Sequence, residues 1–464
     1  MNKLLLTDAY KHTHWNLLPP KTQYVYSYAE SRGVTDKGVP KETLFFGLQM
    51  YLKKYFEGQF YTLKDVEECD RELGLVFNTH EYFNKEGFLK MYEKYQGRLP
   101  IRIKAVPEGS VVPSRNALVT IENTDPEFPW IVNFIETLLL QVVWYPTTVA
   151  SQSYGIRKLI NKWAEKTGGQ LNNIFALNDF GLRGVSSVES AELGGMAHLA
   201  VFKGSDNLAA IPAIRKYYNY DGFVLGSVAA TEHSETIMWG KDHEIETYRH
   251  FLTMNKDGIL SIVIDSWDAY HAVDEIFGKE LKKEILERNG TTVFRPDSGN
   301  PPDVARYIAN SLAKNFGYTT NDLGYKVLNP KVRIIYGDFI RYGMIDDILS
   351  ALEEDGFSTD NIVFGMGGAL LQGVNRDTFK FALKTSAVDI GGEWFEVSKS
   401  PVGDQSKKSK GGRFSVVFEE NQYKTVPYNG VLENVDVLET VFENGKIVKE
   451  YNWEQVTASV NKNF

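Results

Sequence analysis

The stretch TTVFRPDSGNPPDVARYIANSL (residues 291–312) decides the fold class of this chain. It opens with a short run of β-branched and aromatic residues and turns through proline, glycine and asparagine. It then continues with Val304, Ile308 and Leu312 spaced four apart. The opening run is typical of a buried strand, and the spacing is typical of a helix that buries one face. The stretch therefore predicts one strand–turn–helix unit.

Similar units recur from about residue 145 to residue 390. In each, an apolar run precedes a polar, often glycine-containing turn and a helical pattern. The clear runs are 173–177, 199–202, 260–264, 292–294, 332–336 and 362–364, with weaker ones before SVAATEHS (227–234) and at 144–149. Buried strands that alternate with amphipathic helices indicate a parallel sheet. Seven or eight such units favour a closed or nearly closed βα-barrel over an open sheet.

The length of 464 residues predicts two domains. Residues 1–145 mix a helical pattern at 47–56 with short strand-like runs at 101–106 and 117–122. Short strand-like pieces after residue 395 are expected to pack on this first region. We predict a discontinuous mixed α+β domain of residues 1–145 and 395–464, and an α/β, barrel-like catalytic domain of residues 146–394.

The composition predicts a soluble, cytoplasmic protein that binds small molecules. Hydrophobic residues make up 43% and charged residues 24%, as in globular proteins, and the net charge of −9 weighs against nucleic acid as a partner. The single cysteine, Cys69, fits a reducing compartment. The N-terminal apolar run is too short for a secretory signal. No segment approaches the roughly 20 apolar residues of a membrane span, so no membrane partner is predicted.

Polar residues at the predicted strand ends form a candidate site, because the loops that follow barrel strands share one face. Each of them alone has a structural alternative, since Asp, Asn and Ser often cap the next helix. Folding does not by itself require two arginines, a histidine and five aspartates there. The set is Asp179, Arg183, Asp206, His233, Asp265, Arg295, Asp297 and Asp338, with glycines at 181, 299, 337, 367 and 368.

Two turns predict anion sites. RPDSGNPP (295–302) combines Arg295 with exposed turn amides and a helix start, and GMGG (365–368) offers a second glycine-rich turn. Neither is a GxxxxGK[ST] loop, so an ordinary nucleotide triphosphatase is not predicted. The basic run 399–413 is either a solvated loop or a flexible clamp on substrate phosphates.

His233 lies between carboxylates in TEHS (231–234), where histidine commonly acts as a general acid or base or binds a metal. No HxxxH or CxxC partner is near, so a structural zinc site is not predicted.

Ordered motifs run through nearly the whole chain, including TDAYKHTH (7–14), KAVPEG (104–109), NDFGLRGVSS (178–187), FKGSD (202–206), DSWD (265–268), RPDSGNP (295–301) and KKSKGGR (407–413). In these motifs the chain resembles the nicotinamide phosphoribosyltransferase family, a type II phosphoribosyltransferase family. The resemblance implies an NAD-salvage enzyme that joins nicotinamide to phosphoribosyl pyrophosphate and releases nicotinamide mononucleotide and pyrophosphate. It also implies Mg²⁺, coupling to ATP hydrolysis through a phosphohistidine, and a homodimer with active sites at the interface.

The resemblance assigns roles to individual residues. Phe180 is expected to stack on one face of the nicotinamide ring, and Tyr10 of the partner subunit on the other face. Asp8 is expected to reach the same site from the partner subunit. Arg183 is expected beside the ring and the ribose phosphate, Asp206 at the carboxamide, and His233 as the phosphorylated residue. The expected catalytic set is His233, Asp265, Arg295 and Asp297, and the expected phosphate and ribose contacts are Arg183, Asp265, Arg295, Asp297, Gly337, Asp338, Gly367, Gly368, Arg376, Lys384, Lys399 and Lys407.

Mg²⁺ is expected on the substrate pyrophosphate, with no direct protein ligand and with Asp265 and Asp297 as the groups that reach it through water. Three rival functions remain open at this point. One is nicotinate phosphoribosyltransferase activity on the same fold. Another is a metal-dependent barrel hydrolase or a Schiff-base aldolase that uses the aspartates. The third is a non-enzymatic binding protein.

Overall fold

The computed structural model describes residues 1–34, 40–400, 408–430 and 435–464. It divides into two compact units. The first unit comprises Met1–Ser151, Ala213–Tyr220 and Asn375–Asn463, and the second comprises Gln152–Pro212, Asp221–Val374 and Phe464.

The strands of the described residues are numbered in chain order. They are β1 Thr22–Glu30, β2 Glu42–Leu44, β3 Ile101–Ala105, β4 Val111–Pro113, β5 Ala117–Asn123, β6 Leu177–Asp179, β7 Gly204–Ser205, β8 Ala229–Ala230, β9 Asp257–Val263, β10 Asn289–Arg295, β11 Tyr318–Thr320, β12 Lys326–Leu328, β13 Val332–Tyr336, β14 Ile362–Met366, β15 Ala382–Ile390, β16 Glu393–Glu396, β17 Phe414–Glu419, β18 Gln422–Pro427, β19 Glu439–Glu443 and β20 Lys446–Ile447.

The α-helices are numbered in the same way. They are α1 Leu48–Tyr51, α2 Leu63–Phe77, α3 Lys85–Tyr95, α4 Ile131–Phe134, α5 Glu136–Thr167, α6 Val188–Leu199, α7 Ala210–Tyr218, α8 His233–Met238, α9 Glu244–Met254, α10 Ala269–His271, α11 Lys282–Glu287, α12 Pro301–Phe316, α13 Tyr342–Glu354, α14 Gly368–Leu371 and α15 Trp453–Asn461. The 3-10 helices are Lys3–Leu5, Ala9–Asn16, Leu182–Gly184, Lys241–His243 and Thr359–Asn361, and the π-helices are Leu52–Phe56 and Ala272–Glu280. None of the described helices is both long and apolar enough to cross a bilayer.

The first unit is built on an antiparallel sheet in the order β16–β15–β1–β5–β3–β19–β20. Its interior strand β1 pairs Tyr28 with Lys384 of β15 on one side and with Thr120 of β5 on the other. Because β15 pairs with β1 along its length, the predicted boundary at residue 394 is wrong. Residues 375–394 belong to the first unit, since strand pairing outweighs their position in the sequence after the barrel units.

Helix α7 also belongs to the first unit, although the sequence suggested a place in the barrel domain. The hydroxyl of Tyr218 donates to the buried carboxylate of Glu108 at 2.7 Å, and its ring stacks on Phe46 at 5.5 Å between centroids. Glu108 also accepts from the backbone N–H of Gln49 at 2.8 Å. Burial raises the pKa of Glu108, and the hydrogen bonds from Tyr218 and Gln49 partly oppose this rise.

The second unit contains the parallel sheet that the sequence predicted, in the order β7–β6–β14–β13–β10–β9–β8. Helix α12 buries Val304, Ile308 and Leu312, as their spacing predicted. All pairings in this sheet are parallel, so the carboxyl ends of its strands meet at one edge.

The sheet is curled. Gly226, which precedes β8, forms a parallel bridge with Gly204 of β7, while β8 itself pairs with β9. The N–H of Ser205 donates to the carbonyl of Gly226 at 3.1 Å, and the N–H of Gly226 donates to the carbonyl of Lys203 at 2.8 Å. The segment 226–230 therefore contacts β7 at one edge of the sheet and pairs with β9 near the other edge.

Three of the predicted strands are wrong or displaced. Residues 144–149 lie within α5, with Pro146 inside the helix. Leu199 ends α6, so the strand predicted at 199–202 is replaced by β7, and the strand predicted at 173–177 begins only at Leu177. A short apolar run does not by itself distinguish a buried strand from a buried helix, which explains these errors.

Candidate active site

The carboxyl ends of the parallel strands bring most of the predicted site residues together in the second unit. Phe180 and Arg183 follow β6, Asp206 follows β7, and His233 follows β8. They open onto a pocket of about 890 Å³. Its lining residues are Phe180, Leu182, Arg183, Asp206, Ala230, Thr231, Glu232, His233, Ser234, Glu235, Arg295, Asp297, Gly337 and Gly367.

His233 is held between two aspartates at the first turn of α8. Its Nε2 lies 3.1 Å from Oδ1 of Asp265, and its Nδ1 lies 3.9 Å from Oδ2 of Asp297. The Asp265 side chain is only 4% exposed, whereas 40% of the His233 side chain is exposed. Asp265 therefore orients the imidazole through Nε2, and the Nδ1 edge is left on the Asp297 side.

Asp265 also fixes the turn after β10. Its Oδ2 accepts from the N–H of Asp297 at 2.9 Å and from the hydroxyl of Ser298 at 2.5 Å. The carboxylates at positions 265, 297 and 338 are crowded together. Desolvation raises the pKa of Asp297, with Asp265 adding to the shift and Arg295 and His233 opposing it. Desolvation and the charges of Asp297 and Asp265 likewise raise the pKa of Asp338. This excess of negative charge suits a positively charged centre in the pocket.

The carboxylates do not form a preassembled metal cage. Within the described ranges, no group of three or more His, Cys, Asp or Glu side chains is arranged to hold a metal ion. Mg²⁺ usually keeps several waters and binds through one or two carboxylates together with substrate phosphates. Asp265 and Asp297 would hold such an ion through the waters that it keeps.

The prediction of an anion site at the start of α12 is wrong about the helix amides. Pro301 and Pro302 have no N–H, and the N–H of Asp303 donates to the side chain of Asn300 at 3.3 Å. No amide of the first helical turn is therefore free for a ligand. Arg295 remains the cation at this place, and its Nη2 donates to the carbonyl of Thr231 at 2.5 Å.

A narrow slot surrounds the ring of Phe180. A Cβ added at Gly365 of β14 would lie 2.1 Å from Cε2 of Phe180, and one at Gly337 would lie 3.6 Å from it. Asp206 is exposed in the same pocket and accepts from the hydroxyl of Ser227. Arg183 is 88% exposed in its side chain and lies 3.9 Å from Glu232. The pocket thus combines the aromatic ring of Phe180, the carboxylate of Asp206 and the solvent-exposed guanidinium of Arg183.

A more apolar cavity of about 460 Å³ continues from this slot. It shares Phe180, Asp206 and Arg295 with the larger pocket, and its walls include Ile259 and Val293. A flat, mostly apolar ring with one polar substituent fits such a lining.

Gly368 begins α14 in the second unit, whereas five predicted residues lie in the first unit, namely Asp8, Tyr10, Arg376, Lys384 and Lys399. Asp8 precedes the 3-10 helix Ala9–Asn16 and accepts from the hydroxyl of Thr137 at 2.8 Å, and Tyr10 is 56% exposed. Arg376 is exposed and pairs with its neighbour Asp377 at 3.3 Å. Lys407 lies outside the described residues.

Lys384 and Lys399 are exposed cations of the first unit. Although the Lys384 side chain is exposed, neighbouring atoms desolvate its amine and lower its pKa. The positive charges of Arg32, Lys11 and Lys399 lower this pKa further, and the negative charge of Glu136 opposes them. Positive charge is therefore concentrated around Lys384, as an anion-binding surface requires.

In the basic run, two residues are already engaged by the protein. Lys410 pairs with the buried carboxylate of Glu30, and the guanidinium of Arg413 lies 4.7 Å from the ring centroids of both Trp394 and Tyr428.

Several functional contacts were not predicted from the sequence. Ser227 donates to Asp206, the carbonyl of Thr231 accepts from Arg295, and Asn207 binds the buried Asp179. These partners lie 21, 64 and 28 residues apart in the chain. No local spacing signals such contacts, because they depend on which strands become neighbours.

Solved structures share this fold. A nicotinate-nucleotide pyrophosphorylase from Pyrococcus furiosus aligns with a TM-score of 0.62 at 16% identity, covering 98% of this chain and 94% of that one. A human nicotinic acid phosphoribosyltransferase aligns with a TM-score of 0.55 at 15% identity, covering 99% and 93%. The protein therefore shares its fold, including the curled parallel sheet, with these two structures.

Sequence comparison defines the family more closely. The profile of the nicotinate phosphoribosyltransferase (NAPRTase) family matches residues 175–446, and that of the nicotinamide phosphoribosyltransferase N-terminal domain matches residues 2–103. A nicotinamide phosphoribosyltransferase of Xanthomonas campestris is 43% identical over 98% of this chain and 97% of its own length. One of Acinetobacter baylyi is 34% identical over 98% and 96%. The chain belongs to the nicotinamide phosphoribosyltransferase family.

Proposed function

We propose that the protein transfers the phosphoribosyl group of phosphoribosyl pyrophosphate to nicotinamide, forming nicotinamide mononucleotide and pyrophosphate. The observation that carries this is the joining of two groups of residues in one pocket. The slot at Phe180 and Asp206 suits a pyridine carboxamide. Arg295 and Asp297 line the same pocket and suit a ribose and its phosphates, and Asp265 holds the turn that carries Asp297. The names of the relatives at 43% and 34% identity agree with this reaction.

In this reaction the pyridine nitrogen forms a bond to the ribose anomeric carbon while the bond from that carbon to the pyrophosphate oxygen breaks. Positive charge develops on the ribose, and the carboxylate of Asp297 would stabilise it. Negative charge develops on the leaving pyrophosphate, and Arg295, which lines the same pocket, would stabilise that charge. Bound Mg²⁺ would add positive charge at the pyrophosphate, with Asp265 and Asp297 holding its water ligands.

Substrate choice is assigned to Asp206. Its carboxylate can accept a hydrogen bond from the amide of nicotinamide, whereas the carboxylate of nicotinate would repel it. Ser227 donates to Asp206 and leaves the carboxylate other lone pairs with which to accept from the substrate.

We further propose that ATP phosphorylates His233. The γ-phosphoryl group would pass to Nδ1 as ADP leaves, and water would later release it as phosphate. The hydrogen bond from Nε2 to the nearly buried Asp265 supports Nδ1 as the nucleophile, because the carboxylate orients the ring and favours the tautomer that carries its proton on Nε2. The phosphorylated ring would stand beside Arg295, within reach of the substrate phosphates.

We also propose a cytoplasmic homodimer in which Tyr10 of the partner subunit completes the ring slot. Support comes from the family resemblance of TDAYKHTH and from the 56% exposure of Tyr10. The exposed Lys384 and Lys399 are candidates for contacts with phosphate in the same assembly.

A product assay tests the proposed reaction. The enzyme is incubated with phosphoribosyl pyrophosphate, Mg²⁺ and either nicotinamide or nicotinate, with and without ATP, and the mononucleotide is measured by chromatography. We expect nicotinamide mononucleotide as the main product and a higher yield with ATP. Formation of nicotinate mononucleotide at equal or greater efficiency would overturn the assignment in favour of a nicotinate enzyme.

A further inference from the structure

Three fully buried polar side chains lie behind the ring slot of the second unit. Asp179 ends β6, Asn207 follows β7, and His198 lies in α6, and each is 0% exposed. Neither Asp179 nor Asn207 lines the pocket. A role in direct contact with substrate is therefore not available to them.

Asp179 is bonded to both turns that form the slot. Its Oδ1 accepts from the N–H of Gly181 at 2.7 Å, in the turn that carries Phe180. Its backbone carbonyl accepts from the N–H of Asp206 at 3.0 Å, and its Oδ2 accepts from Nδ2 of Asn207 at 3.0 Å. One residue thus ties the turn that bears the aromatic ring to the turn that bears the carboxylate.

Asn207 is fixed in one orientation. Its Nδ2 donates to the carbonyl of Ala191 at 2.9 Å as well as to Asp179, and its backbone N–H donates to the hydroxyl of Ser205 at 2.9 Å. Its Oδ1 is buried and has no hydrogen-bond partner among the described residues. Turning the amide over would place that oxygen against two acceptors, so the donor edge must face Asp179.

His198 supports the same region as a neutral ring. Its Nδ1 accepts from the hydroxyl of Ser153 at 3.1 Å, and its Nε2 donates to the carbonyl of Gly204 at 3.0 Å. Gly204 is the β7 residue that pairs with Asn178, next to Asp179. A buried carboxylate is costly to keep unless its hydrogen bonds are well made, and here they are made to the two turns of the slot.

We propose that Asp179 and Asn207 are positioning residues that set the placement of the Phe180 ring relative to the Asp206 carboxylate. They would thereby determine the affinity for nicotinamide and its preference over nicotinate. This inference rests on the proposed function, which assigns the ring and the carboxamide to Phe180 and Asp206.

The test uses the full-length enzyme and the variants Asp179→Asn, Asn207→Ala and the double variant. Asp179→Asn leaves one accepting oxygen for two donors, so the bond to Gly181 or to Asn207 is lost, and Asn207→Ala removes the second of these donors. We expect the KM for nicotinamide to rise about tenfold in each, with the KM for phosphoribosyl pyrophosphate changed less than twofold. The preference for nicotinamide over nicotinate should fall, and the double variant should be little worse than either single variant.

The control is Asp322→Asn, an exposed aspartate of the same unit. Circular dichroism and the melting temperature show whether each variant folds. If an Asp179 or Asn207 variant is too unstable to assay, Ser205→Ala removes the acceptor of the Asn207 backbone N–H and should raise the same KM more mildly.

Two results would overturn the inference. One is an unchanged KM for nicotinamide in folded variants, and the other is an equal loss for both substrates, as general destabilisation produces. Failure of the proposed function is distinct from these, since the unmodified enzyme would then make no nicotinamide mononucleotide.

Discussion

At the scale of single residues, Asp206 carries the strongest prediction about specificity. Two carboxylates about 4 Å apart at an effective dielectric near 20 repel by about 4 kcal/mol, roughly a thousandfold. We therefore expect kcat/KM for nicotinamide to exceed that for nicotinate by a large factor. Asp206→Asn should narrow this gap while nicotinamide is still turned over. Comparable kcat/KM values in the unmodified enzyme would contradict the role, and Asp322→Asn provides the control.

The raised pKa of Asp297 predicts how kcat depends on pH. Desolvation raises its pKa, so the carboxylate becomes protonated at a higher pH than an ordinary aspartate, whose pKa is about 4. If the ionised form stabilises the ribose, kcat should fall on acidification through a pKa above that value. In Asp297→Asn we expect kcat to be lower by about a hundredfold and this acid limb to be lost. A pH–rate profile measures both effects, and an unchanged acid limb in the variant would rule out Asp297 as its source.

His233 is the predicted phosphoacceptor. Incubation with γ-³²P-labelled ATP should give an acid-labile, base-stable label on the unmodified enzyme and none on His233→Ala. His243→Ala is the matched control, because His243 is an exposed histidine of the same unit. Full labelling of His233→Ala would show that His233 is not the residue that ATP phosphorylates.

At the scale of elements, β14 shapes the ring slot by having no side chain at Gly365. A methyl group there would lie 2.1 Å from the ring of Phe180, so the ring must move. Gly365→Ala should raise the KM for nicotinamide about tenfold or more and leave the KM for phosphoribosyl pyrophosphate nearly unchanged. Gly343→Ala in α13 is the control, because its added Cβ would meet nothing within 4 Å. Equal kinetics for the two variants would show that the slot tolerates the displacement.

The 3-10 helix Ala9–Asn16 depends on a buried neutral histidine. Burial lowers the pKa of His12 to about 4, against a smaller opposite effect of the hydrogen bond to the carbonyl of Leu4. Between that value and the ordinary pKa near 6.5, the unfolded chain binds a proton that the folded protein does not. Stability should therefore be full above pH 6.5 and fall as the pH drops toward 4, by up to about 3 kcal/mol from this residue.

Urea unfolding of the unmodified protein and of His12→Leu at several pH values measures this effect. The variant should be less stable at pH 7, because it loses the hydrogen bond to Leu4, but it should lose less stability on acidification. Parallel pH dependences for the two proteins would contradict the contribution of His12. The buried His198 stays in both proteins, so its own lowered pKa cancels in the comparison.

At the scale of the whole molecule, the proposed dimer predicts complementation between subunits. Tyr10→Ala and Arg295→Ala should each be nearly inactive alone. Mixed subunits should recover partial activity, because one site of each hybrid dimer then has both residues. A fully active monomer in sedimentation would exclude the shared site, and subunits that both carry Tyr10→Ala should show no recovery.

The sequence alone predicted the parts of the fold that local spacing encodes. Strand β13 was predicted with its observed bounds, and the runs at 260–264, 292–294 and 362–364 correspond to β9, β10 and β14 within a few residues. The buried face of α12 was also predicted. Alternation of strands and helices then implied that His233, Asp265 and Asp297 would meet at one edge, and they do.

Only the tertiary structure decided which segments pair and which buried groups meet. From the sequence, residues 382–390 could belong either to the barrel domain or to the sheet of the first unit. They pair with β1 and therefore belong to the sheet of the first unit. The donors around Arg295, Asp206 and Asp179 come from distant segments, so no periodicity signals them. Hydrophobic spacing records only whether a residue faces a core. The partners of strands and polar groups follow from the free energy of the assembled chain, in which every buried donor and acceptor competes for the same neighbours.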